Sequence, residues 1–291
     1  MGALRGAAAL GLLAAGYAAA VALDLPDVAR LSADAPTTTA FMRLRAAERG
    51  LPGGTVQGAP PVPLDRISPL LVCAVLKAED RTFFLHGGVL WDEVPGLAAA
   101  ALRGRRVRGG STVTQQLARN LYLSPARTPH RKLREAMIAR RLEGALSKRR
   151  ILELYLNVIE WGDGVWGVQA ASRHYLGENP GEVDAFEATF LASLVAAPRR
   201  PLRGANAARA RSVQQRVLRQ LRVSGLVDER EMRAAWRRSD TLFAGLAAGE
   251  TLPRALARAR ALATVRPGVA HSPQALADGC GVARELAAEA P

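Results

Sequence analysis

An all-α fold is predicted by three observations on the sequence. Hydrophobic residues make up 49% of the chain but aromatic residues only 5%, so the apolar content is mainly Ala, Leu and Val. Apolar side chains recur at helical spacing behind helix-start signals, and we find no convincing pair of strands. The 291 residues are also enough to bury a sizeable core. We therefore expect a helical body rather than a β-sandwich.

The N-terminal stretch predicts a membrane anchor. Residues 6–23, GAAALGLLAAGYAAAVAL, contain no charged side chain and are followed by Asp24. As a helix this stretch would be about 27 Å long, close to the thickness of a bilayer core. Arg5 before it favours a short cytoplasmic end and an uncleaved single-pass helix over residues 1–23, in the cytoplasmic (inner) membrane. The alternative is a signal peptide cleaved near residues 18–20, and both readings export the remaining chain.

The remaining chain divides by composition. Residues 24–61 are rich in Pro, Gly and Thr and are expected to be a tether with one short helix near 41–49. Helical patterns fill residues 62–240, and residues 241–291 form a tail to which we assign no role. Capping and turn residues mark the expected helix starts and breaks. They are Ser68-Pro69, Ser111, a break near Ser147 within 131–156, Asp184 with Glu187, and Ser224-Gly225 followed by Asp228 with Glu231.

Charge and cysteine content narrow the class of partner. The formal net charge is +14, and only three of the 40 basic residues are lysines. Such a balance favours anionic partners, but nucleic acid does not fit an exported domain.

Cys73 lies in an apolar helix, far in sequence from Cys280, and is expected to be a buried free thiol. No Cys or His motif indicates a metal site.

The stretch KAEDRTFFLHGG, residues 77–88, places a carboxylate at the end of an apolar helix. Val72, Val75, Leu76 and Glu79 share one helix face, so Glu79 continues the buried stripe. A carboxylate held there loses hydration and its pKa rises, as a general acid or base requires. The alternative is that Glu79 lies at a frayed helix end and reaches water.

The stretch RGGSTVTQQLARNLYL, residues 108–123, combines a glycine pair with a polar helix. Gly109 and Gly110 permit a sharp bend, and the free N–H groups of a helix starting at Ser111 favour an anion. Amides grouped on such a helix suit sugars and phosphates, whereas the alternative is an ordinary capped helix with a solvated flank. The polar side chains expected on two adjacent faces are Gln115, Arg119 and Tyr122, and Gln116 and Asn120.

A third stretch, residues 127–157, surrounds Glu135 with cations. Arg131 and Lys132 precede it by about one helical turn, and Arg127 is close upstream. These charges can form surface ion pairs, each worth roughly a few tenths of a kcal/mol. They can equally clamp a pyrophosphate, and the occurrence here of two of the three lysines favours that reading.

A fourth stretch, residues 160–177, indicates a glycine-rich turn leading into a helix. In this order the four stretches resemble the peptidoglycan glycosyltransferases of glycosyltransferase family 51, specifically the monofunctional biosynthetic transglycosylases. The resemblance covers residues 62–200 and extends weakly to 237, and Arg119 stands where the family often has Lys. Its motifs are E-D-x-x-F-x-x-H-x-G at Glu79 to Gly88, G-G-S-T-x-T-Q-Q at Gly109 to Gln116, R-K-x-x-E at Arg131 to Glu135, SKRRILELYLN at 147–157, and a fifth region at Gln169–Tyr175.

This resemblance implies a lysozyme-like larger lobe and a small membrane-associated jaw within about residues 87–126. It implies that lipid II is polymerised into linear β-1,4 glycan strands, with inversion and with release of polyprenyl pyrophosphate. The expected partners are lipid II, the growing glycan strand, membrane lipids and other cell-wall synthesis proteins. Neither Ser-x-x-Lys nor Lys-Thr-Gly occurs in the sequence, so we expect no transpeptidase activity.

The resemblance also implies roles for single residues. Glu79 is the expected general base and Glu135 the second catalytic carboxylate, which orients cations that stabilise the leaving pyrophosphate. A divalent cation, Mg²⁺ or Mn²⁺, at Glu135 is compatible with this role, and no organic cofactor is expected. The residues expected to bind substrate are Asp80, His86, Ser111, Thr112, Gln115, Gln116, Arg119, Asn120, Arg127, Arg131 and Lys132.

Two other functions are compatible with parts of the sequence. A lytic glycosidase or transglycosylase also combines a lysozyme-like fold with a single Glu, but cleavage of a neutral sugar link leaves no pyrophosphate for the cations around Glu135. An inactive, membrane-tethered basic scaffold would explain the charge but would not need both Glu79 and Glu135. We therefore expect a biosynthetic enzyme.

Overall fold

The protein is mostly helical, as the sequence predicts. The computed structural model describes residues 16–17, 19–51, 58–93 and 110–262 and the single positions 96, 99, 103 and 280. Strand structure within these residues is limited to an antiparallel hairpin of two short strands, β1 and β2. Its bounds are β1 Glu160–Gly162 and β2 Val165–Trp166.

The α-helices lie on both sides of this hairpin in the chain. Five precede it, and the last four of these carry parts of the first four motifs. The five are α1 Ala40–Glu48, α2 Pro69–Glu79, α3 Val113–Tyr122, α4 Pro129–Ala145 and α5 Lys148–Val158. The helices that follow it are α6 Val168–Leu176, α7 Ala185–Leu194, α8 Gly204–Val223, α9 Glu229–Ala247 and α10 Leu252–Ala261.

Most of the predicted helix boundaries are confirmed. Asp184 with Glu187 and Asp228 with Glu231 form complete capping boxes at the starts of α7 and α9. The break near Ser147 is also confirmed, because α4 ends at Ala145 and the N–H of Arg150 donates to Oγ of Ser147 at 3.2 Å.

One of the next two predicted helix starts is confirmed in position, because Ser68 is the N-cap residue of α2 and Pro69 is its first residue. Ser68 makes no cap hydrogen bond, because its Oγ donates instead to the carbonyl oxygen of Val183 at 3.0 Å. The predicted start at Ser111 is displaced by one residue, since Thr112 is the N-cap of α3 and forms a capping box with Gln115. The contact of Ser68 is tertiary, whereas the capping box of Thr112 and Gln115 is a local pattern that the sequence already contains.

Helix α2 is central to the core. Every residue from Leu70 to Leu76 is buried, and the helix packs against α7 and α8. Helix α3 packs against α4 and α5, while α9 packs against α7, α8 and α10. The C-terminal end of α2 meets the N-terminal end of α3, so the first two motifs converge at one place.

The N-terminal segment approaches α4 through polar contacts. Arg141 donates to the carbonyl oxygen of Ala22 at 3.1 Å, and Arg134 donates to that of Asp24 at 2.9 Å. Over the part of the chain that the structure describes, no helix is both long enough and apolar enough to cross a membrane. Residues 1–15 and 18, which hold most of the predicted anchor, lie outside the described residues.

The two cysteines correct an expectation. Cys73 is not a free thiol, because it is disulfide-bonded to Cys280, with the two Cα atoms 5.4 Å apart. That separation lies within the usual range for a disulfide. The predicted tail also begins inside a helix, since α9 continues past residue 240 and α10 packs against it. The other tail residues beyond 262 lie outside the described part of the chain.

Candidate active site

Glu79 is held at the end of α2 by a hydrogen bond from α3. The Nε2 of Gln116 donates to Oε2 of Glu79 at 2.9 Å. Burial raises the pKa of Glu79, and the bond from Gln116 and the positive charges of Arg209, Arg119 and Arg216 limit this rise. Glu79 is half-buried, which agrees with its predicted place on the apolar face of the helix, and its role as a base stays a prediction.

The orientation of Gln116 is set by a tyrosine on α5. The hydroxyl of Tyr155 donates to Oε1 of Gln116 at 2.9 Å, which leaves the Gln116 amide nitrogen facing Glu79. Tyr155 is completely buried, and burial, with the nearby charge of Glu79, raises its pKa well above the ordinary value. It therefore stays a neutral hydroxyl donor at any pH at which the protein works.

Asp80 and His86 join the first motif to the start of α3. The N–H of Val113 donates to Oδ2 of Asp80 at 2.9 Å, and Nε2 of His86 lies 3.0 Å from Oδ1. Because Gly88 donates its N–H to Nδ1 of His86, Nε2 is the nitrogen that carries the proton. Both side chains are nearly inaccessible and their polar atoms are engaged within the protein, so they hold the site together.

The capping box of α3 occupies two more of the predicted substrate-binding residues. Oγ1 of Thr112 donates to the carbonyl oxygen of Gly88 at 2.6 Å, and Oε1 of Gln115 accepts from the Thr112 N–H at 3.2 Å. Asn120 donates to the backbone carbonyl of Gln116 at 2.8 Å. All three side chains are buried, and their contacts fix the N-terminal half of α3. The predicted bend involves Gly109 and Gly110, and Gly109 lies outside the described residues.

A second cluster forms around Glu135 on α4. The Glu135 carboxylate is fully buried and accepts hydrogen bonds from Arg131 and from Lys132. The Nζ of Lys132 also donates to Oγ of Ser111 at 3.0 Å, so this cluster reaches the segment that leads into α3. Arg127 is exposed at the loop before α4.

The donor set around Glu135 does not fit a divalent cation. Its Oε2 accepts from Arg131 and its Oε1 from Lys132, so both oxygens already face positive charge. Among the residues described by the structure, no group of three or more His, Cys, Asp or Glu side chains is placed to hold a metal ion. Mg²⁺ and Mn²⁺ prefer several oxygen ligands, which this cluster does not offer.

Arg119 lies on the same side of α3 as Gln116. Its Nε is buried and has no hydrogen-bond partner among the described residues. Its guanidinium carbon lies 6.0 Å from the centre of the Phe41 ring, on α1. A buried N–H that lacks a hydrogen-bond acceptor costs free energy. Arg119 is therefore well placed to bind an anionic ligand, which would supply that acceptor.

Several residues that complete the site were not predicted. Tyr155 lies within the motif SKRRILELYLN but is not among the predicted site residues, and the sequence gives no sign of its contact with Gln116. Arg209 and Arg216 come from α8, more than a hundred residues after Glu79. Lys148 donates to the His86 carbonyl at 2.6 Å and lies 4.4 Å from the centre of the Phe83 ring.

Comparison with known proteins identifies the family of the chain. Residues 52–222 match the protein family model described as Transglycosylase, which is more than half of the chain. The chain therefore belongs to the transglycosylase family.

The relatives in this family are biosynthetic enzymes by name. A biosynthetic peptidoglycan transglycosylase of Chromobacterium violaceum is 49% identical over 139 residues, which cover 47% of this chain and 61% of that protein. The protein of the same name from Nitrosospira multiformis is 49% identical over 139 residues, or 47% of this chain and 60% of the relative. That of Aromatoleum aromaticum is 45% identical over 167 residues, or 57% and 73%. The matched region thus spans about three fifths of the length of the first two relatives.

Proposed function

We propose that the protein polymerises lipid II into linear β-1,4 glycan strands of peptidoglycan and releases polyprenyl pyrophosphate. The observation that carries this proposal is a desolvated carboxylate, Glu79, beside a set of cations. Membership of the transglycosylase family supports the reaction class. The names of the relatives support a role in making peptidoglycan, and the motif resemblance described above implies lipid II as the substrate.

In this proposal Glu79 removes the proton from the acceptor sugar hydroxyl. A raised pKa brings a carboxylate closer to the working pH and makes it a better base. Gln116 holds one of its oxygens, Oε2, and the other is available to the hydroxyl. The oxygen of the acceptor then attacks the anomeric carbon of the donor as the bond to pyrophosphate breaks, so a single displacement inverts that carbon.

Cations stabilise the leaving pyrophosphate in this scheme. Lys132 and Arg131 are held by Glu135, and Lys132 also contacts Ser111 in the segment that leads into α3. Arg119 and Arg127 are the other candidates, and the partnerless Nε of Arg119 supports its role. Pyrophosphate is already a weak base, so charge stabilisation rather than a proton donor is what its departure requires. We route no step through a metal ion.

The finer fold and location are part of the same proposal. We place a lysozyme-like larger lobe within residues 62–240 and a membrane-associated jaw within about 87–126. Leu85, just before the jaw, and Trp91, within it, are 74% and 56% exposed, as expected of side chains that meet lipid. Residues 1–23 anchor the chain in the cytoplasmic membrane, with the catalytic domain on the periplasmic side.

Product analysis tests this function against a lytic one. The full chain is incubated with labelled lipid II, and separately with purified glycan strands, and the products are separated by length. A biosynthetic enzyme lengthens the lipid-linked product and leaves added strands intact. Shortened strands, or no change in either substrate, would overturn the proposal.

A separate reaction with EDTA tests the divalent cation that the sequence predicts at Glu135. Equal rates with and without EDTA would show that the reaction does not need such an ion.

A further inference from the structure

Helix α1 packs against the candidate active site, although it lies outside the region that matches the family model. It covers Ala40–Glu48, whereas the match begins at residue 52, and it packs against α3. Met42 and Ala46 are buried, so one face of α1 is covered by the rest of the protein. The sequence assigns this helix only to the tether and gives it no part in the site.

Ion pairs hold the C-terminal half of α1 on the β1–β2 hairpin. Nε of Arg45 lies 3.6 Å from Oε2 of Glu160, which is the first residue of β1, and the Glu160 side chain is buried. Just after the helix, Nη2 of Arg49 donates to Oδ1 of Asp163 at 2.6 Å, in the turn of the hairpin. These contacts fix α1 from the hairpin side, while its first turn reaches α3.

The ring of Phe41, in that first turn, is the contact between α1 and the active-site cation Arg119. The guanidinium carbons of Arg119 and Arg45 lie over this ring, 6.0 and 5.8 Å from its centre. A ring face attracts a cation over distances up to about 6 Å. Phe41 and Arg119 are both half-buried, so their contact is partly shielded from water.

An aromatic partner holds a cation differently from a carboxylate. Arg45 also pairs with Glu48 at 2.8 Å, whereas Arg119 forms no ion pair with a carboxylate in the part of the chain that the structure describes. A carboxylate would neutralise the guanidinium and accept its N–H groups, but a ring attracts it without cancelling its charge. The Phe41 ring can therefore fix Arg119 and leave its charge to act on another anion.

The charge of Arg119 acts on the proposed base. It lowers the pKa of Glu79, against the rise that burial causes. The other groups that act on Glu79 come from helices that do not carry Phe41: Arg209 and Arg216 from α8, and the hydroxyl of Tyr155 from α5. The pKa of Glu79 is therefore a measure of where the Arg119 guanidinium lies.

We propose that Phe41 is a positioning residue, whose ring holds the guanidinium of Arg119 in the candidate active site. The consequence for catalysis rests on the proposed function, in which Arg119 stabilises the leaving pyrophosphate. Helix α1 then belongs to the catalytic unit as well as to the tether. It contributes through Arg119 and does not touch the reacting atoms itself.

The test uses three variants of the full chain. Phe41→Leu keeps an apolar side chain on α1 but removes the ring, and Phe41→Tyr restores a ring. Trp236→Leu is the matched control, because Trp236 on α9 is also half-buried and lies under a guanidinium, that of Arg219, at 5.9 Å. Arg219 is not among the cations that chiefly lower the pKa of Glu79.

The first measurement is the pKa of Glu79, from an NMR titration of the ¹³C-labelled carboxyl group, and it needs no turnover. The signal is assigned by its absence in Glu79→Gln. We expect Phe41→Leu to raise this pKa, because an Arg119 side chain released from the ring moves towards water and its charge acts less on Glu79. Phe41→Tyr and Trp236→Leu should match the wild type. An unchanged or lower pKa in Phe41→Leu would overturn the inference.

The second measurement is kcat/KM for labelled lipid II on the pH plateau. We expect Phe41→Leu to lower it roughly two- to fivefold, the loss typical of one contact between a cation and a ring. In an Arg119→Gln background the same change should cause no further loss, because Phe41 acts through Arg119.

The outcomes separate positioning from a purely structural role. An equal loss of kcat/KM in both backgrounds, or a lower melting temperature with unchanged kcat/KM, would show that Phe41 only supports the fold and would contradict the inference. A wild-type chain that does not polymerise lipid II would instead refute the proposed function, and the pKa comparison would still decide whether Phe41 positions Arg119.

Discussion

The Nε2 of Gln116 lies 2.9 Å from Oε2 of Glu79, so an amide of α3 holds one oxygen of a carboxylate at the end of α2. A hydroxyl of α5 fixes that amide, because Tyr155 donates to Oε1 of Gln116. An amide whose oxygen is engaged in this way can offer only its nitrogen to Glu79. The proposed base is thus positioned by residues of three helices.

Tyr155→Phe tests whether the hydrogen bond from Tyr155 to Gln116 positions Glu79. The variant keeps the buried ring but frees the Gln116 amide to rotate, and we expect kcat to fall about three- to tenfold, since a hydrogen bond contributes roughly 0.5–1.5 kcal/mol. The acid limb of the pH profile should also move to higher pH, because the bond from Gln116 lowers the pKa of Glu79. Tyr175→Phe is the control, since its hydroxyl contacts only the Trp161 carbonyl, at 3.3 Å. An unchanged profile in Tyr155→Phe would exclude a positioning role.

The pH dependence of the wild type follows from the environment of Glu79. A base must be ionised to act, so activity rises as pH increases through its pKa. Burial raises this pKa above the ordinary value of 4.5, and the midpoint of the acid limb should lie above that value. Arg209→Gln should move the midpoint further up, because the charge of Arg209 lowers the pKa of Glu79.

Arg211→Gln provides the control for that shift. Arg211 is on the same helix but pairs with Asp240 at the surface, at 2.7 Å. Its loss should leave the acid limb where it is in the wild type. A midpoint at or below 4.5 in the wild type, or a downward shift in Arg209→Gln, would show that another group limits activity.

The sequence predicts the parts of this site that depend on local patterns. The apolar stripe that ends in Glu79 and the Arg131, Lys132 and Glu135 cluster are read from spacing of three and four residues, and the structure brings the members of that cluster together. The contact of Tyr155 with Gln116 joins positions 39 residues apart, and Arg209 approaches Glu79 from α8. Such pairs depend on how helices pack, which helical periodicity does not specify.

Local patterns also misassigned one cysteine. Cys73 has the apolar neighbours typical of a buried thiol, but its partner lies 207 residues away. Nothing in the sequence between them indicates the pairing, since two cysteines without a motif are compatible with either state.

Asp80→Ala should destabilise the fold as well as the site. Asp80 is buried, and its loss leaves the Val113 N–H and the His86 ring without their acceptor. Removing one partner of a buried hydrogen bond costs about 1–3 kcal/mol, and the effect here should lie at the upper end because the acceptor is charged. Urea unfolding followed by circular dichroism measures it. Asp240→Ala, which removes only a surface ion pair, should cost about 0.5 kcal/mol or less. Similar losses in the two variants would contradict the role of Asp80.

The disulfide makes a prediction about thiol chemistry. Alkylation of the denatured, unreduced protein should label neither Cys73 nor Cys280, and both should be labelled after reduction. Cys280→Ser should lower the free energy of unfolding by about 2–4 kcal/mol, the usual effect of losing a native disulfide. Labelling of either cysteine without reduction would show that the bond does not form in the protein.

The most direct test of the central claim is the turnover of Glu79→Gln with labelled lipid II. The glutamine keeps the size of the side chain and removes the proton acceptor, and loss of a general base costs about 10²–10⁴-fold in rate. We expect kcat to fall by that factor while KM stays within about twofold and the melting temperature does not decrease, because burial disfavours the ionised form of Glu79. A variant that polymerises lipid II at the wild-type rate would contradict the assignment of Glu79 as the base.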